Sequence, residues 1–356
     1  MLRTLLVFVF LTAAGFAADF AETKKKAKAG DAAAQSQLGL IYYEGESVLK
    51  DDAEAVKWYR LAAEQGDVDA QFRLGYMYHS GEGVSKDYVE AAKWFRLAAE
   101  QGFVGAQFIL GYMYDNGSGV PKDDAEAVKW YVKAGEQGNL FSQYRLGYMY
   151  ANGDGAPKDD VEAVKWWRKA AEQGEANAQL KLGVMYDNGI GVSKDFAEAV
   201  NWYRKAADQG NDHAQFSLGY MYDYGEGVPK DSAEAAKWYR KAAEHGNASA
   251  QRSLGVMYMG SHGVPQDSIE AEKWTRRSAE QGDAGGQYGL GLLYANGDGV
   301  PKDIVQAHVW INIAAANGHK DAKKNLAFFE EQMTSEQKAE AMKMARELFA
   351  KLPKGK

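Results

Sequence analysis

Eight tryptophans recur along this chain at a constant spacing of 36 residues, with no insertion or deletion between them. A fixed period of this length marks one structural unit copied head to tail, as in solenoids and related arrays. The tryptophans are Trp58, Trp94, Trp130, Trp166, Trp202, Trp238, Trp274 and Trp310. They divide residues 31–318 into eight repeats, numbered 1 to 8: 31–66, 67–102, 103–138, 139–174, 175–210, 211–246, 247–282 and 283–318. We expect one elongated domain, because a repeat of this size buries its apolar face only against its neighbours.

Each repeat has the pattern of two helices joined by a loop. In repeat 2, Ala70, Leu74 and Tyr78 recur every four residues, which places them on one face of a first helix, helix A. Gly81 follows at the point where helix A is expected to end. An aspartate then precedes a glutamate or glutamine by three residues, an Asp-capped form of the capping box that predicts the start of helix B. These pairs are Asp51/Glu54, Asp87/Glu90, Asp123/Glu126, Asp159/Glu162, Asp195/Glu198, Asp231/Glu234, Asp267/Glu270 and Asp303/Gln306.

The two ends of the array depart from this pattern, as capping elements of a solenoid do. Residues 18–30 are expected to form an N-terminal capping half-repeat, in which Glu22 stands at the tryptophan position. In repeat 8, Val309 and Ile313 make the outer face of helix B apolar, so a cover is needed. We expect C-terminal capping helices in residues 319–356. The covering helix is predicted to open at Thr334–Gln337 and to carry Met342, Ala345, Phe349 and Leu352 on one side.

Residues 1–17 have the pattern of a secretory signal peptide. The single charge of Arg3 precedes an apolar run at 5–11, and small residues lead to Ala17, after which cleavage is expected. The run is too short to span a bilayer comfortably, and an uncleaved anchor is the alternative. The pattern therefore predicts a periplasmic or secreted protein that is not inserted in the membrane after cleavage.

Composition excludes several classes of function. The formal net charge of −7 without a basic stripe argues against nucleic acid as a partner. The absence of cysteine rules out disulfides, thiolate nucleophiles and Cys-based metal sites, and the six histidines form no His-Glu-x-x-His motif. We therefore predict no cofactor and no metal. Ser47–Lys50 and Ser335–Lys338 match the Ser-x-x-Lys pattern of penicillin-interacting enzymes, but without the partner motifs.

The repeat resembles the Sel-one-like repeat family, a relative of the tetratricopeptide repeats. In repeat 6 the matching residues are Ala214-Gln215, Leu218-Gly219, Tyr222, Gly225 to Val228, Lys230-Asp231, Glu234-Ala235, Lys237-Trp238-Tyr239 and Ala242 to Gly246. The resemblance covers about 80% of the chain. It implies an all-α fold, a right-handed α–α superhelix, that serves as an adaptor for protein complexes. A secreted subset of the family is disulfide-linked, with penicillin binding or hydrolysis attributed to it, and this cysteine-free chain lacks that feature.

The side of helix A opposite to Leu74 is the predicted recognition surface. At about 100° per residue, Phe72 and Tyr76 fall at about 160° and 200° from Leu74. The resemblance to tetratricopeptide solenoids implies that such positions line a concave groove. The predicted groove residues are Phe72, Tyr76, His79, Phe108, Tyr112, Asp115, Asn116, Tyr144, Tyr148, Asn152, Asp187, Asn188, Phe216, Tyr220 and Asp223. The alternative is that the aromatic residues pack sideways on helix A of the adjacent repeat.

These patterns favour a non-enzymatic scaffold or adaptor of the cell envelope or secreted space. Its partner would be an extended or helical protein segment bound in the groove, with tyrosine and phenylalanine as anchors. Two alternatives stay open: a structural or self-associating solenoid without a specific ligand, and an enzyme acting on cell-wall or β-lactam substrates. The identity of the partner and the oligomeric state do not follow from the sequence.

Overall fold

The computed structural model describes residues 20–45 and 47–353, and within these ranges the chain forms helices and loops without a β-strand. The helices fall into two compact parts, one up to Gln173 and one from Gly174. In the N-terminal part, a helix at 20–28 (α1) precedes α2 (Ala32–Glu44), α3 (Asp52–Glu64), α4 (Val68–Ser80), α5 (Tyr88–Glu100), α6 (Val104–Asn116), α7 (Asp124–Glu136), α8 (Leu140–Asn152) and α9 (Asp160–Glu172). The predicted signal segment, residues 1–17, lies outside the described residues.

The C-terminal part continues the same alternation of helices A and B and adds two more helices. Its elements are α10 (Ala176–Asn188), α11 (Phe196–Asp208), α12 (Asp212–Tyr224), α13 (Ser232–Glu244), α14 (Ala248–Gly260), α15 (Ser268–Glu280), α16 (Ala284–Asn296), α17 (Ile304–Ala316), α18 (Lys320–Glu331) and α19 (Ser335–Phe349). In both parts each helix A packs on helix B of its own repeat, and helix B packs on the next helix A. The predicted all-α array of helix pairs is therefore confirmed within each part.

The ends of the helices follow from short polar residues and glycine. At the start of α4, the Asp67 carboxylate accepts a hydrogen bond from the Ala70 amide at 2.8 Å. At its end, Gly81 adopts a left-handed conformation (φ 85°), in which its amide donates to the carbonyl of Met77. Only glycine takes this conformation at little cost. Repeat 7 is the exception, because Ser261 stands there with φ 55°.

The predicted aspartate caps of the B helices are confirmed, but the reciprocal half of the capping box is not used as predicted. Asp51 accepts from the Glu54 amide at 2.9 Å. The Glu54 side chain, however, accepts from Lys57 at 2.8 Å and from the indole nitrogen of Trp58 at 3.1 Å. The glutamate thus fixes the tryptophan one turn later. A complete reciprocal box forms at the predicted start of α19, between Thr334 and Gln337.

The core of each repeat depends on a glycine in helix A that faces an aromatic ring in helix B. A Cβ atom on Gly75 would lie 2.9 Å from the ring of Phe95, so the small residue lets the two helices approach. The repeat tryptophan fills the next gap: Trp130 is buried in one cluster with Ala91 and Leu110, residues of the preceding B helix and of its own A helix. The predicted packing role of the tryptophan between repeats is confirmed there.

The C-terminal cap covers the apolar outer face of repeat 8, but with a different stripe of residues from the one predicted. Val309 and Ile313 are buried in a cluster with Ala341 and Ala345 of α19. Met344 and Leu348 complete the stripe on the same side of the helix, and the predicted Leu352 joins the cluster just beyond the helix end. Met342 and Phe349 were predicted on this side and are instead exposed. The spacing of 341, 345 and 348 follows one helical face, and positions 342 and 349 lie roughly 70–90° away from it.

Candidate interaction surface

Beneath the predicted recognition residues lies a frame of buried glutamines that the sequence analysis did not single out. In repeat 2, the Gln71 amide nitrogen donates to the carbonyl of Ala63 at 3.1 Å, and its oxygen accepts from Gln101 at 2.8 Å. Gln71, on helix A of repeat 2, thereby contacts helix B of the preceding repeat and the end of helix B in its own repeat. The equivalent pairs are Gln35/Gln65, Gln107/Gln137, Gln143/Gln173, Gln179/Gln209, Gln215/His245, Gln251/Gln281 and Gln287/Asn317. A glutamine at one register position of all eight repeats is the signal that would have identified them.

A second contact crosses five of the six junctions that lie within the two parts. An arginine of helix B donates to the tyrosine hydroxyl of the next helix A, as Arg240 does to Tyr258 at 2.6 Å. Val132 stands at this arginine position in repeat 3. The further pairs are Arg60/Tyr78, Arg96/Tyr114, Arg204/Tyr222 and Arg276/Tyr294. Together, these contacts hold successive A helices in a fixed register, and that register spaces the residues on their open side.

The first aromatic residue of each predicted pair is half-buried and packs on its neighbours. The ring of Phe72 lies 5.7 Å from that of Phe95 in its own repeat and 4.7 Å from that of Phe103 in the next repeat. Phe108 contacts Phe141 of the next repeat in the same way, at 5.7 Å. The sideways packing weighed as an alternative therefore takes place at these positions.

The second aromatic residue is exposed in three of the four pairs, and the fourth, Tyr148, is half-buried against the ring of Trp167. The exposed fractions of Tyr76, Tyr112 and Tyr220 are 43%, 52% and 37%. Phe141 and Tyr224, which the sequence analysis did not select, are also exposed. We call these residues, with the phenylalanines below them, the aromatic face. In the N-terminal part it comprises Phe72, Tyr76, Phe108, Tyr112, Phe141, Tyr144 and Tyr148, and in the C-terminal part Phe216, Tyr220 and Tyr224.

Asp115 forms hydrogen bonds within the protein and does not point to solvent as a recognition residue would. Its buried carboxylate accepts two hydrogen bonds from the Arg145 guanidinium, at 2.7 and 2.8 Å, and one from the Tyr131 hydroxyl at 3.3 Å. These contacts join α6, α7 and α8. The hydrogen bond to Asp115 raises the pKa of Arg145. Burial raises the pKa of Tyr131, and the charge of Asp115 raises it further. The groups stabilise one another in their ordinary charge states.

The variation of the acidic residues along the array follows the same internal contact. Asp187 accepts from the Tyr203 hydroxyl at 3.2 Å. Burial and the charge of Asp223 both raise the pKa of Tyr239. Where helix B carries Phe95 instead of tyrosine, the acidic position holds His79. The residue type at the Asp115 position therefore varies for an internal reason, because a buried tyrosine hydroxyl on helix B needs an acceptor. The variation at these positions does not by itself indicate recognition.

The remaining predicted residues lie near the ends of the A helices. His79 is half-buried, and its ring stands edgewise to Tyr88 with centroids 5.1 Å apart. Burial lowers the pKa of His79, and the charge of Lys86 lowers it further. The exposed amides of Asn116, Asn188 and Asn152 donate to the carbonyls of Tyr112 and Val184 and to the Asp154 carboxylate, respectively. These residues can contact a partner only through their remaining polar atoms.

No metal-binding cluster accompanies this surface in the described part of the chain. Across residues 20–45 and 47–353, no three histidine or acidic side chains converge in a way that would hold a metal ion. In the same ranges, no helix has both the length and the apolar character to cross a bilayer. The two Ser-x-x-Lys matches begin in different local settings, Ser47 in a loop with φ 66° and Ser335 at the first position of α19. The surface offers aromatic area and hydrogen-bonding groups, which suit non-covalent recognition.

Comparison with known proteins assigns the family. Eight consecutive segments match the model of the Sel1 repeat: residues 32–67, 68–103, 104–139, 140–175, 176–211, 212–247, 248–283 and 284–319. No curated protein sequence matches the chain.

Two solved structures show the same resemblance along most of the chain. A Sel1 repeat protein from Oxalobacter formigenes is 37% identical, with 86% of this chain and 88% of that chain covered and a TM-score of 0.68. The protective antigen c5321 of uropathogenic Escherichia coli, which displays the same fold, is 34% identical over 93% of this chain and 86% of that chain, with a TM-score of 0.49. The chain therefore belongs to the Sel1 repeat family, and the all-α solenoid class expected from its tryptophan period is confirmed.

Proposed function

We propose that this protein is a non-enzymatic scaffold of the cell envelope or secreted space, and that its aromatic face binds a segment of another protein. Sel1 repeat proteins are generally protein-interaction scaffolds. The observation that carries the finer proposal is the repetition of an exposed tyrosine above a packed phenylalanine. Tyr76 above Phe72 is followed 36 residues later by Tyr112 above Phe108.

This arrangement suits an anchor for a partner. Tyrosine presents a large apolar ring and a hydroxyl group at a low cost in conformational entropy, since it has few rotatable bonds. The ring contacts of Phe72 and Phe108 hold the floor of the face in place before a partner arrives. A preorganised surface loses less entropy on binding than a mobile one.

The binding experiment compares two double variants of the protein from residue 18. Tyr76→Ala with Tyr112→Ala removes the exposed anchors. Leu61→Ala with Leu97→Ala is the matched control, because these leucines are also 36 residues apart and similarly exposed (43% and 42%), but lie on the B helices. Each protein is immobilised and incubated with envelope extract, and circular dichroism verifies equal helicity. We expect the native protein and the leucine variant to retain the same partner and the tyrosine variant to lose it.

Equal retention by all three proteins would place binding outside the aromatic face and contradict the proposal. If none retains a partner and the native protein forms oligomers that the tyrosine variant does not form, the face serves self-association instead. The location is tested separately by expression of the full chain with residues 1–17. We expect a product in the periplasm or medium that begins after Ala17, and an uncleaved product would contradict the proposed location.

A further inference from the structure

The Asp115 contact has a counterpart two repeats earlier in which the carboxylate is missing. A shift of 72 residues takes Tyr131 to Tyr59 and Arg145 to Arg73, so the hydroxyl and the guanidinium are both retained. The same shift places Tyr43 at the position of Asp115. The N-terminal part thus contains one complete site and one site of the same register that lacks its anion.

Tyr43 does not substitute for the missing acceptor. Its hydroxyl donates to the Glu82 carboxylate at 3.0 Å. The Tyr59 side chain is only 1% exposed, and its hydroxyl has no hydrogen-bond acceptor within the described residues. Arg73 lies over the Tyr59 ring, with 6.0 Å between the guanidinium carbon and the ring centroid. A guanidinium group has donors and no acceptor, so Arg73 can never accept the Tyr59 proton.

Arg73 itself is without an anion. Among the residues that the structure describes, no carboxylate lies within salt-bridge distance of it, whereas the equivalent Arg145 forms a bidentate pair. Beside Arg73 is a cavity of 160 Å³ with mostly apolar walls, which we call the Arg73 pocket. It is lined by Tyr43, Tyr59, Phe72, Arg73, Tyr76 and Met77. Tyr76 and Phe72 also belong to the aromatic face, so the pocket is continuous with that surface.

We propose that the Arg73 pocket binds the side-chain carboxylate of an aspartate or glutamate on the protein segment that the aromatic face takes up. The inference rests on the proposed function and adds a chemical requirement for its ligand. Arg73 would hold the carboxylate through paired hydrogen bonds, and Tyr59 would donate a third, as Arg145 and Tyr131 do for Asp115. The Arg73 guanidinium would gain the anion that it lacks and the Tyr59 hydroxyl an acceptor, and this removes the penalty of a buried hydroxyl without an acceptor.

The test uses a random twelve-residue peptide library displayed on phage with the peptides internal to the coat protein, so that no free carboxyl terminus is offered. Selection is carried out on the full mature chain. The best peptides are then synthesised with blocked ends, each in an acidic form and with its acidic residue changed to the amide. Affinities are measured by calorimetry on the native protein, on Arg73→Met and on Tyr43→Asp. Tyr43→Asp fills the pocket with an internal carboxylate and recreates the Asp115 site.

We expect selection to enrich an aspartate or glutamate next to an aromatic or aliphatic residue. The amide form of the peptide, Arg73→Met and Tyr43→Asp should each weaken binding by at least about 10-fold, the range of a charge-assisted hydrogen bond. Arg277→Met controls for a general loss of positive charge, since Arg277 is exposed on α15 in the other part of the chain. It should leave the affinity unchanged.

Three outcomes would overturn the inference. Peptides that bind through Tyr76 and Tyr112 with no acidic preference would leave the proposed function intact and eliminate the pocket. Equal weakening by Arg73→Met and Arg277→Met would reduce the effect to overall charge. If selection fails and peptides with a free carboxyl terminus bind instead, the pocket recognises a chain end and the assignment to a side chain is wrong.

Discussion

The junctions between repeats and the aromatic face are built from the same helices under opposite constraints. At the junctions, Gln71 and its equivalents make the same pair of hydrogen bonds in one repeat after another. On the aromatic face, the position of Phe72 is taken by phenylalanine, tyrosine, leucine, arginine or serine in other repeats. A junction residue must satisfy two neighbours at once, and a face residue needs to suit only its local surroundings and any partner.

The comparison also teaches that variation alone does not mark a recognition residue. Asp115 varies between repeats as freely as Tyr112, yet Asp115 is buried in internal hydrogen bonds and Tyr112 is half exposed. The distinction lies in whether the side chain has an internal partner. Substitutions at the junctions should therefore reduce stability, and those at exposed face positions should reduce binding.

The largest loss of stability is expected for Gly83→Ala at the junction of repeats 1 and 2. Gly83 has φ 68°, and an added Cβ would lie 2.2 Å from the backbone oxygen of Asp52, which cannot move without α3. We expect a loss of about 4 kcal/mol in the free energy of unfolding. Gly102→Ala is the control, because Gly102 has φ 92° but nothing within 4 Å of the added atom.

Gly102→Ala should cost only the left-handed backbone penalty of about 1–2 kcal/mol. Urea denaturation followed by circular dichroism measures both variants. Hydrogen exchange of α3 and α4 should accompany it, since repeat arrays can unfold in parts. Equal losses for the two glycines would show that the close approach to Asp52 does not constrain the junction.

Gln71→Leu should cost about 2–3 kcal/mol, because it leaves the buried Ala63 carbonyl without its donor and removes the acceptor of the Gln101 amide. Gln101→Leu is the matched change on the exposed side of the same pair, and it should cost about 1 kcal/mol. Urea midpoints at a constant slope measure the difference. A smaller loss for Gln71→Leu than for Gln101→Leu would mean that burial does not decide the strength of this contact.

Much of the fold could be predicted because its signals recur in phase. The Asp caps, the helix-ending glycines and the tryptophan period each appear in every repeat or nearly so, and the helices begin and end accordingly. The C-terminal cap shows the limit. Its helix was predicted from Thr334, but Met342 and Phe349 were placed on the buried side because a single helix without a repeat offers no second copy to fix its rotation.

The candidate surface could be predicted only in part. The angle between Leu74 and Tyr76 places Tyr76 outside the core, as the structure shows. Phe72 packs on Phe103, which belongs to the next repeat. Asp115 binds Arg145, which lies 30 positions away in the sequence. Neither contact follows from a pattern read within one repeat. A comparison of equivalent positions across repeats would have paired the aspartates with the tyrosines.

Tyr131→Phe and Tyr59→Phe compare a satisfied hydroxyl with an unsatisfied one. Tyr131→Phe removes the hydrogen bond to Asp115 and should cost about 1 kcal/mol at neutral pH. Tyr59→Phe should be neutral or stabilising there, because the Tyr59 hydroxyl is buried without an acceptor. Chemical denaturation at pH 7 measures both, and a loss for Tyr59→Phe as large as that for Tyr131→Phe would contradict the unpaired state of Tyr59.

The stability of the protein at alkaline pH gives a second test of the buried state of Tyr59. Burial raises the pKa of Tyr59 to about 12, above the value of about 10 for an unfolded tyrosine. Between these values the folded chain keeps a proton that the unfolded chain loses, so this contribution to stability is present below about pH 10 and is lost as pH rises towards 12. Tyr59→Phe should therefore flatten the fall in stability between about pH 10 and 12. An unchanged slope would show that Tyr59 titrates normally.

The smallest effect on stability is expected at the exposed tyrosine of the face. Tyr112→Ala should change the free energy of unfolding by less than about 0.5 kcal/mol, because the ring is 52% exposed. Phe108→Ala, one helical turn earlier, should cost about 2 kcal/mol, since it removes ring contacts with Tyr131 and Phe141. Both variants should weaken partner retention, but only Tyr112→Ala should do so in a protein of native stability. Thermal unfolding and partner capture on the same samples separate the two effects. If Tyr112→Ala proved as destabilising as Phe108→Ala, the exposed tyrosines would belong to the packing of the array, and the distinction between junction residues and face residues would be wrong.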